Sequence, residues 1–122
     1  MMLKWFSKSC DGVKYLLKTD DDMYNNLPKL RDFVITLEVQ RVSDIFIGSL
    51  LCTSIPERDP GHKWFMSPDI WAGRRYPPYL LGASYLMSRP AAEKLLSASL
   101  DTPLNHIEDF YLGLLARKKD IT

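Results

Sequence analysis

The chain has 122 residues, a formal net charge of +1 and an apolar fraction of 46%, which suits one globular domain and argues against a disordered or fibrous segment. Acids and bases are interspersed, unlike the basic stripe of a nucleic-acid surface, and no apolar run approaches membrane-spanning length. Cys10 and Cys52 permit a disulfide without arguing for one, and with His62 and His106 set apart from them no zinc-site spacing arises.

In chain order, Met2, Trp5 and Phe6 have helical spacing and Gly12 is a natural stop, which predicts a short first helix. Residues 13–18 predict a strand that ends abruptly in three consecutive carboxylates, Asp20, Asp21 and Asp22. Asn25 or Asn26 can cap the next helix, with Pro28 in its first turn. Leu27, Leu30, Phe33, Val34 and Leu37 form an apolar stripe that predicts a helix lying on a sheet. Residues 44–51 predict a second, largely buried strand.

Between residues 53 and 79 the character changes. Prolines at 56, 60, 68, 77 and 78 break up any long element, and Trp64, Phe65, Trp71, Tyr76 and Tyr79 gather beside Arg58, Lys63, Arg74 and Arg75. Such a segment is a packed lid over a ligand, a floor for a sugar ring, or a cover for the sheet edge. Residues 80–87 predict a third strand with a tight bend at Gly82, where a backbone or a ligand can come close. Ser88 caps a helix whose apolar face is Ala92, Leu95, Leu96 and Leu100. Ile107, Phe110, Tyr111, Leu114 and Leu115 predict a last amphipathic helix, with Glu108 and Asp109 in the first turn and Arg117, Lys118 and Lys119 in the last.

Acids thus gather at two places. Asp20 and Asp22, one residue apart at a strand end, can converge on a hard cation that holds a substrate phosphate. The loop is not an EF-hand, because Tyr24 and Asn25 stand where a ligand and a glycine are needed. At the second place, Glu108 and Asp109 can supply a general base. A cation against a diphosphate leaving group and a base for an attacking hydroxyl are the two requirements of group transfer from a nucleotide-activated donor. A solvated acidic loop and dipole-partner acids in a first helical turn are the plainer readings of the same residues.

Five ordered blocks carry a resemblance: residues 14–22, KYLLKTDDD; Phe46-Ile47-Gly48; Arg58-Asp59 with Lys63-Trp64; Tyr76-Pro77-Pro78-Tyr79 leading to residues 82–88, GASYLMS; and residues 108–113, EDFYLG. Together they resemble glycosyltransferase family 31, the β-1,3-galactosyltransferase and β-1,3-N-acetylglucosaminyltransferase group. The resemblance implies an α/β chain that is the later part of a GT-A type nucleotide-diphospho-sugar transferase fold, a mixed sheet flanked by helices. It makes residues 1–122 a partial catalytic domain, with early nucleotide-binding strands, a stem and a membrane anchor expected outside the chain.

It further implies inverting transfer of a hexose, galactose foremost, from a UDP-sugar to a glycan hydroxyl in β-1,3 linkage, with Mn²⁺ (Mg²⁺ as substitute), on the lumenal side of the Golgi membrane. Asp20 and Asp22 would be the metal pair, Asp22 in direct contact and Asp20 also reaching the donor ribose, with Asp21 on the donor side. Asp109 would be the base, supported by Glu108. Lys63, Trp64, Tyr79, Gly82 and Tyr85 would shape the donor and acceptor pocket. The chain departs from the family's glycine-rich bend by carrying Ala83 and Ser84 after Gly82. A catalytically inactive chain of the same fold, acting as a binding protein, is the alternative; an unrelated Ca²⁺- or carbohydrate-binding module is a more distant one.

Overall fold

In the computed structural model, which describes residues 2–121, the first helix, α1 (Met2–Ser9), buries Leu3 and Phe6, one helical turn apart. Trp5 is not part of the buried face, as its spacing with Phe6 suggested; it is 59% exposed. Gly12, at φ +75°, takes a left-handed turn open to glycine and leads into β1 (Tyr15–Thr19).

After the acidic turn comes α2 (Leu27–Val39), with Asn26 as its N-cap accepting from the Lys29 amide at 3.1 Å. Asn25 acts elsewhere, its Nδ2 donating to Thr19 Oγ1 at 2.8 Å and so pinning the turn to the strand. The predicted stripe of α2 is only partly covered. Val34 is buried, but Leu27 is 59% and Phe33 48% exposed. Periodicity shows that a face is apolar and not what it will meet. A link from α2 to β1 runs through Glu38, which accepts from Tyr15 Oη at 2.9 Å and Lys14 Nζ at 3.4 Å.

The second strand, β2 (Phe46–Leu51), and the third, β3 (Tyr79–Ser88), complete a sheet of order β1-β3-β2. Both pairings are antiparallel, so among the described residues the sheet is not the mixed one expected from sequence. As an edge strand, β2 buries Phe46 and leaves Gly48, Ser49 and Leu50 exposed, where the sequence suggested a largely buried strand. The central strand carries the burial, with Tyr85, Leu86, Met87 and Ser88 all inside.

The β2–β3 ladder breaks between Gly48, opposite Tyr85, and Leu50, opposite Leu80. Residues 81–84 therefore bow away from β2 while Ser84 still pairs with Thr19 on β1. The predicted bend at Gly82 is this bulge, within a continuous strand.

Ser88 is the N-cap of α3 (Arg89–Ser99); its Oγ also accepts the Ile45 amide at 3.0 Å and donates to the Ser43 carbonyl at 2.6 Å. Leu100 lies past the helix end and is exposed, outside the predicted face. The last helix, α4 (Glu108–Lys118), lies against β3 at Gly113, where an added Cβ would stand 2.4 Å from Tyr79 Cβ. The main core joins Leu3 and Phe6 of α1, Tyr85 and Met87 of β3, Leu95 of α3 and Leu115 of α4.

The proline-rich segment packs on the start of α4. Its Arg58 guanidinium donates to the carbonyls of Met66 (2.5 Å), Trp71 (2.7 Å) and Gly73 (3.0 Å), so the charge closes the loop upon itself. Met66, Tyr76, Ile107 and Phe110 form a second apolar cluster, with Trp71 and Tyr79 against it. Cys10 and Cys52 are free thiols, and no helix of the described residues is long and apolar enough to cross a membrane.

Candidate active site

The bulge of β3 joins the two acidic places. Lys18, on β1, turns its ammonium to Asp20 Oδ1 at 2.5 Å and also donates to the Gly82 carbonyl. The Gly82 amide in turn donates to Asp109 Oδ2 at 3.2 Å. One peptide segment thus connects the acidic turn on one side to the first turn of α4 on the other. Sequence reasoning placed Lys18 in a strand and in the block that carries the resemblance, with no role of its own; its partner Gly82 is 64 positions away, and no local pattern announces that contact. The bulge is fastened to the turn a second time by Ser84 Oγ, which donates to Asn25 Oδ1 at 2.9 Å.

Asp109 uses both oxygens, Oδ2 for Gly82 and Oδ1 for the Phe110 amide at 2.8 Å. Each carboxylate oxygen keeps a second lone pair for a substrate proton. The residue borders a cleft of about 520 Å³ whose wall also includes Glu57, His62, Trp64, Tyr76 and Tyr79. That size is within the usual range for small-ligand sites. Trp64 and Tyr79 were expected at the pocket; Glu57, His62 and Tyr76 were not singled out as site residues.

Trp64 is half exposed, and the Lys63 ammonium lies 4.5 Å from its ring centre. Lys63 therefore backs the indole and is absent from the cleft wall. His62 Nδ1 accepts the Trp64 amide at 3.2 Å, which puts the ring proton of the neutral imidazole on Nε2. The Glu57 carboxylate accepts the amides of Asp59 (3.0 Å) and Arg58 (2.8 Å), and these two donors hold it below the usual carboxylate range.

Besides Lys63, two more expected site residues face elsewhere. Glu108 accepts the Tyr85 hydroxyl at 2.9 Å and borders a separate hollow with Met2, Leu3 and Tyr111. It supports Tyr85 and not the Asp109 carboxylate. Tyr85 is 2% exposed, with its ring edge-on to Phe46 at 5.7 Å, so it lies beneath the site and not on the pocket wall. Strand alternation explains this: Tyr85 points to the same face as core residue Met87. Burial first, then the hydrogen bond and negative charge of Glu108, push the Tyr85 phenol well above its ordinary value.

Asp20, Asp21 and Asp22 all lie exposed on the turn. Among the described residues no side chain pairs with Asp21 or Asp22, and no group of three or more His, Cys, Asp or Glu residues could hold a metal ion. Two neighbouring carboxylates nonetheless suit a hard divalent cation that takes its other ligands from phosphates and water.

A family model described as Galactosyltransferase matches residues 1–122. The mouse acetylgalactosaminyl-O-glycosyl-glycoprotein beta-1,3-N-acetylglucosaminyltransferase is 38% identical over 114 residues, covering 93% of this chain and 28% of that protein. The human beta-1,3-galactosyltransferase 2 is 32% identical over 118 residues, covering 97% of the chain and 28% of its own length. The mouse beta-1,3-galactosyltransferase 1 is 34% identical over 121 residues, covering 99% and 37% respectively. The chain therefore spans between 28% and 37% of the length of these relatives.

Proposed function

This chain belongs to the galactosyltransferase family, and on that premise we propose that it carries the acceptor-activating carboxylate and the donor-side acidic turn of a β-1,3-hexosyltransferase. The donor is a UDP-sugar, UDP-galactose foremost, and the acceptor a glycan hydroxyl. The observation that carries this reading is the Lys18–Gly82–Asp109 connection, which ties the Asp20–Asp22 turn to the carboxylate bordering the aromatic cleft.

In this reading the acceptor sugar enters the cleft against Trp64 and Tyr79, and its attacking hydroxyl gives its proton to Asp109. The new bond from that oxygen to the anomeric carbon forms as the bond to the diphosphate oxygen breaks, and the electron pair leaves with the diphosphate. A single displacement of this kind inverts the anomeric centre. Lys18 holds one oxygen of Asp20, which leaves Asp22 as the freer metal ligand. Mn²⁺ or Mg²⁺, when bound there, supplies charge neutralisation for the diphosphate. By the same family reading the protein works on the lumenal side of the Golgi membrane, anchored through a segment other than those described.

The test is transfer from UDP-sugars to glycan acceptors by the full-length protein, with and without Mn²⁺. Metal-dependent transfer that disappears in Asp109→Asn supports the reading. A folded protein that binds the glycan and transfers nothing would favour the inactive, glycan-binding alternative.

A further inference from the structure

The Tyr76 hydroxyl is a fully buried side-chain oxygen that has no hydrogen-bond partner among the described residues. The residue is 7% exposed, and its ring is gripped by Phe110 at 4.2 Å, Tyr79 at 5.9 Å and Trp71 at 6.3 Å. Its amide is fixed by the Ser54 carbonyl at 2.9 Å. None of these contacts uses the phenolic oxygen. Phenylalanine would pack in the same way and avoid burying an unpaired hydroxyl, which is unfavourable.

Tyr76 borders the same cleft as Asp109, Trp64, His62 and Glu57. Burial first, then Tyr79 and the Asp109 carboxylate, against the opposing charge of Arg58, push the phenol above its ordinary value, so at neutral pH it is an O–H donor. A buried donor in the wall shared with Asp109, with no partner of its own, suits a group that arrives with the ligand.

We propose that Tyr76 is a specificity-determining contact of the acceptor cleft. Its hydroxyl donates a hydrogen bond, directly or through one bridging water, to an acceptor-sugar oxygen other than the one Asp109 deprotonates. This rests on the reading of the cleft as an acceptor site. Two fixed points, the base and the phenol, then set which hydroxyl of the sugar ring meets the donor, while Trp64 supplies apolar contact for the ring face.

The experiment compares the full-length protein with Tyr76→Phe on one glycan acceptor and its series of monodeoxy analogues, measuring kcat and KM for both substrates and the melting temperature. The wild type should disfavour one deoxy analogue by about tenfold in kcat/KM, because that analogue leaves the phenol unpaired. Tyr76→Phe should lose that discrimination and weaken the parent acceptor by a similar factor, with donor KM unchanged and a melting temperature no lower. Active wild type with the same discrimination in Tyr76→Phe would overturn the contact alone. Equal weakening of every acceptor with a lowered melting temperature would also overturn it, since a structural hydroxyl has that signature. A wild type that transfers to no acceptor would overturn the proposed function and this contact with it.

Discussion

Asp109 Oδ2 accepts the Gly82 amide at 3.2 Å while Asp109 Oδ1 accepts the Phe110 amide at 2.8 Å, so this carboxylate is held by β3 and α4 together. The asparagine variant can keep only one of these bonds, because its amide nitrogen cannot accept. Asp109→Asn should reduce transfer by roughly 10²–10⁴-fold, the span associated with a lost general base. Circular dichroism should show a native-like fold with modestly lower melting temperature. Transfer within a factor of a few of wild type would remove Asp109 from the mechanism.

The pairing of Lys18 with Asp20 distinguishes the two ends of the acidic turn. With one Asp20 oxygen engaged at 2.5 Å and no described partner on Asp22, the two carboxylates should differ as ligands. Asp22→Asn should raise the Mn²⁺ concentration for half-maximal activity by at least roughly 10–100-fold, the loss that removing a mere partner of a metal ligand already causes. Asp20→Asn should have the smaller effect. Equal effects, or activity indifferent to a chelator, would show that the turn does not hold the metal in this way.

Much of the element order was legible because its signals are local. Caps at Asn26 and Ser88, the stop at Gly12 and the spacing from Ile107 to Leu115 each report on a few adjacent residues, and all appear in the structure. What failed depended on contacts distant in sequence. Trp5 and Phe33 fit apolar stripes yet remain exposed, since periodicity cannot name the opposing surface. Glu108 was expected to support Asp109 and Tyr85 to shape the pocket, whereas Glu108 accepts the hydroxyl of a Tyr85 buried below it. Lys18 and Tyr76 matter through Gly82 and the cleft wall, which only the folded chain brings near.

Gly113 tests how closely α4 lies on β3. An added Cβ would stand 2.4 Å from Tyr79 Cβ and 3.1 Å from its Cα, distances that require backbone to move. Overpacking of this kind costs about 1–3 kcal/mol, against a gain of about 1 kcal/mol for replacing glycine within a helix. Gly113→Ala should therefore lower stability by up to roughly 2 kcal/mol, read as a lower urea midpoint at unchanged m-value. Since Tyr79 also borders the cleft, acceptor KM should rise as well. A midpoint above that of wild type would contradict the close approach.

Tyr85 predicts the alkaline limit of the fold. Its phenol is raised by burial, then by the Glu108 hydrogen bond and charge, so the native state holds this proton where the unfolded chain, with a value of about 10, releases it. A raised folded value means stability that is fully present below about pH 10 and falls as pH rises above it. Phenolate absorbance from Tyr85 should appear only together with loss of the circular-dichroism signal. Tyr85→Phe removes the titrating group and should move the alkaline unfolding midpoint upward, although at neutral pH it leaves Glu108 without its donor and slightly lowers stability. Phenolate formation from Tyr85 in a fully folded protein would refute the buried phenol and its bond to Glu108.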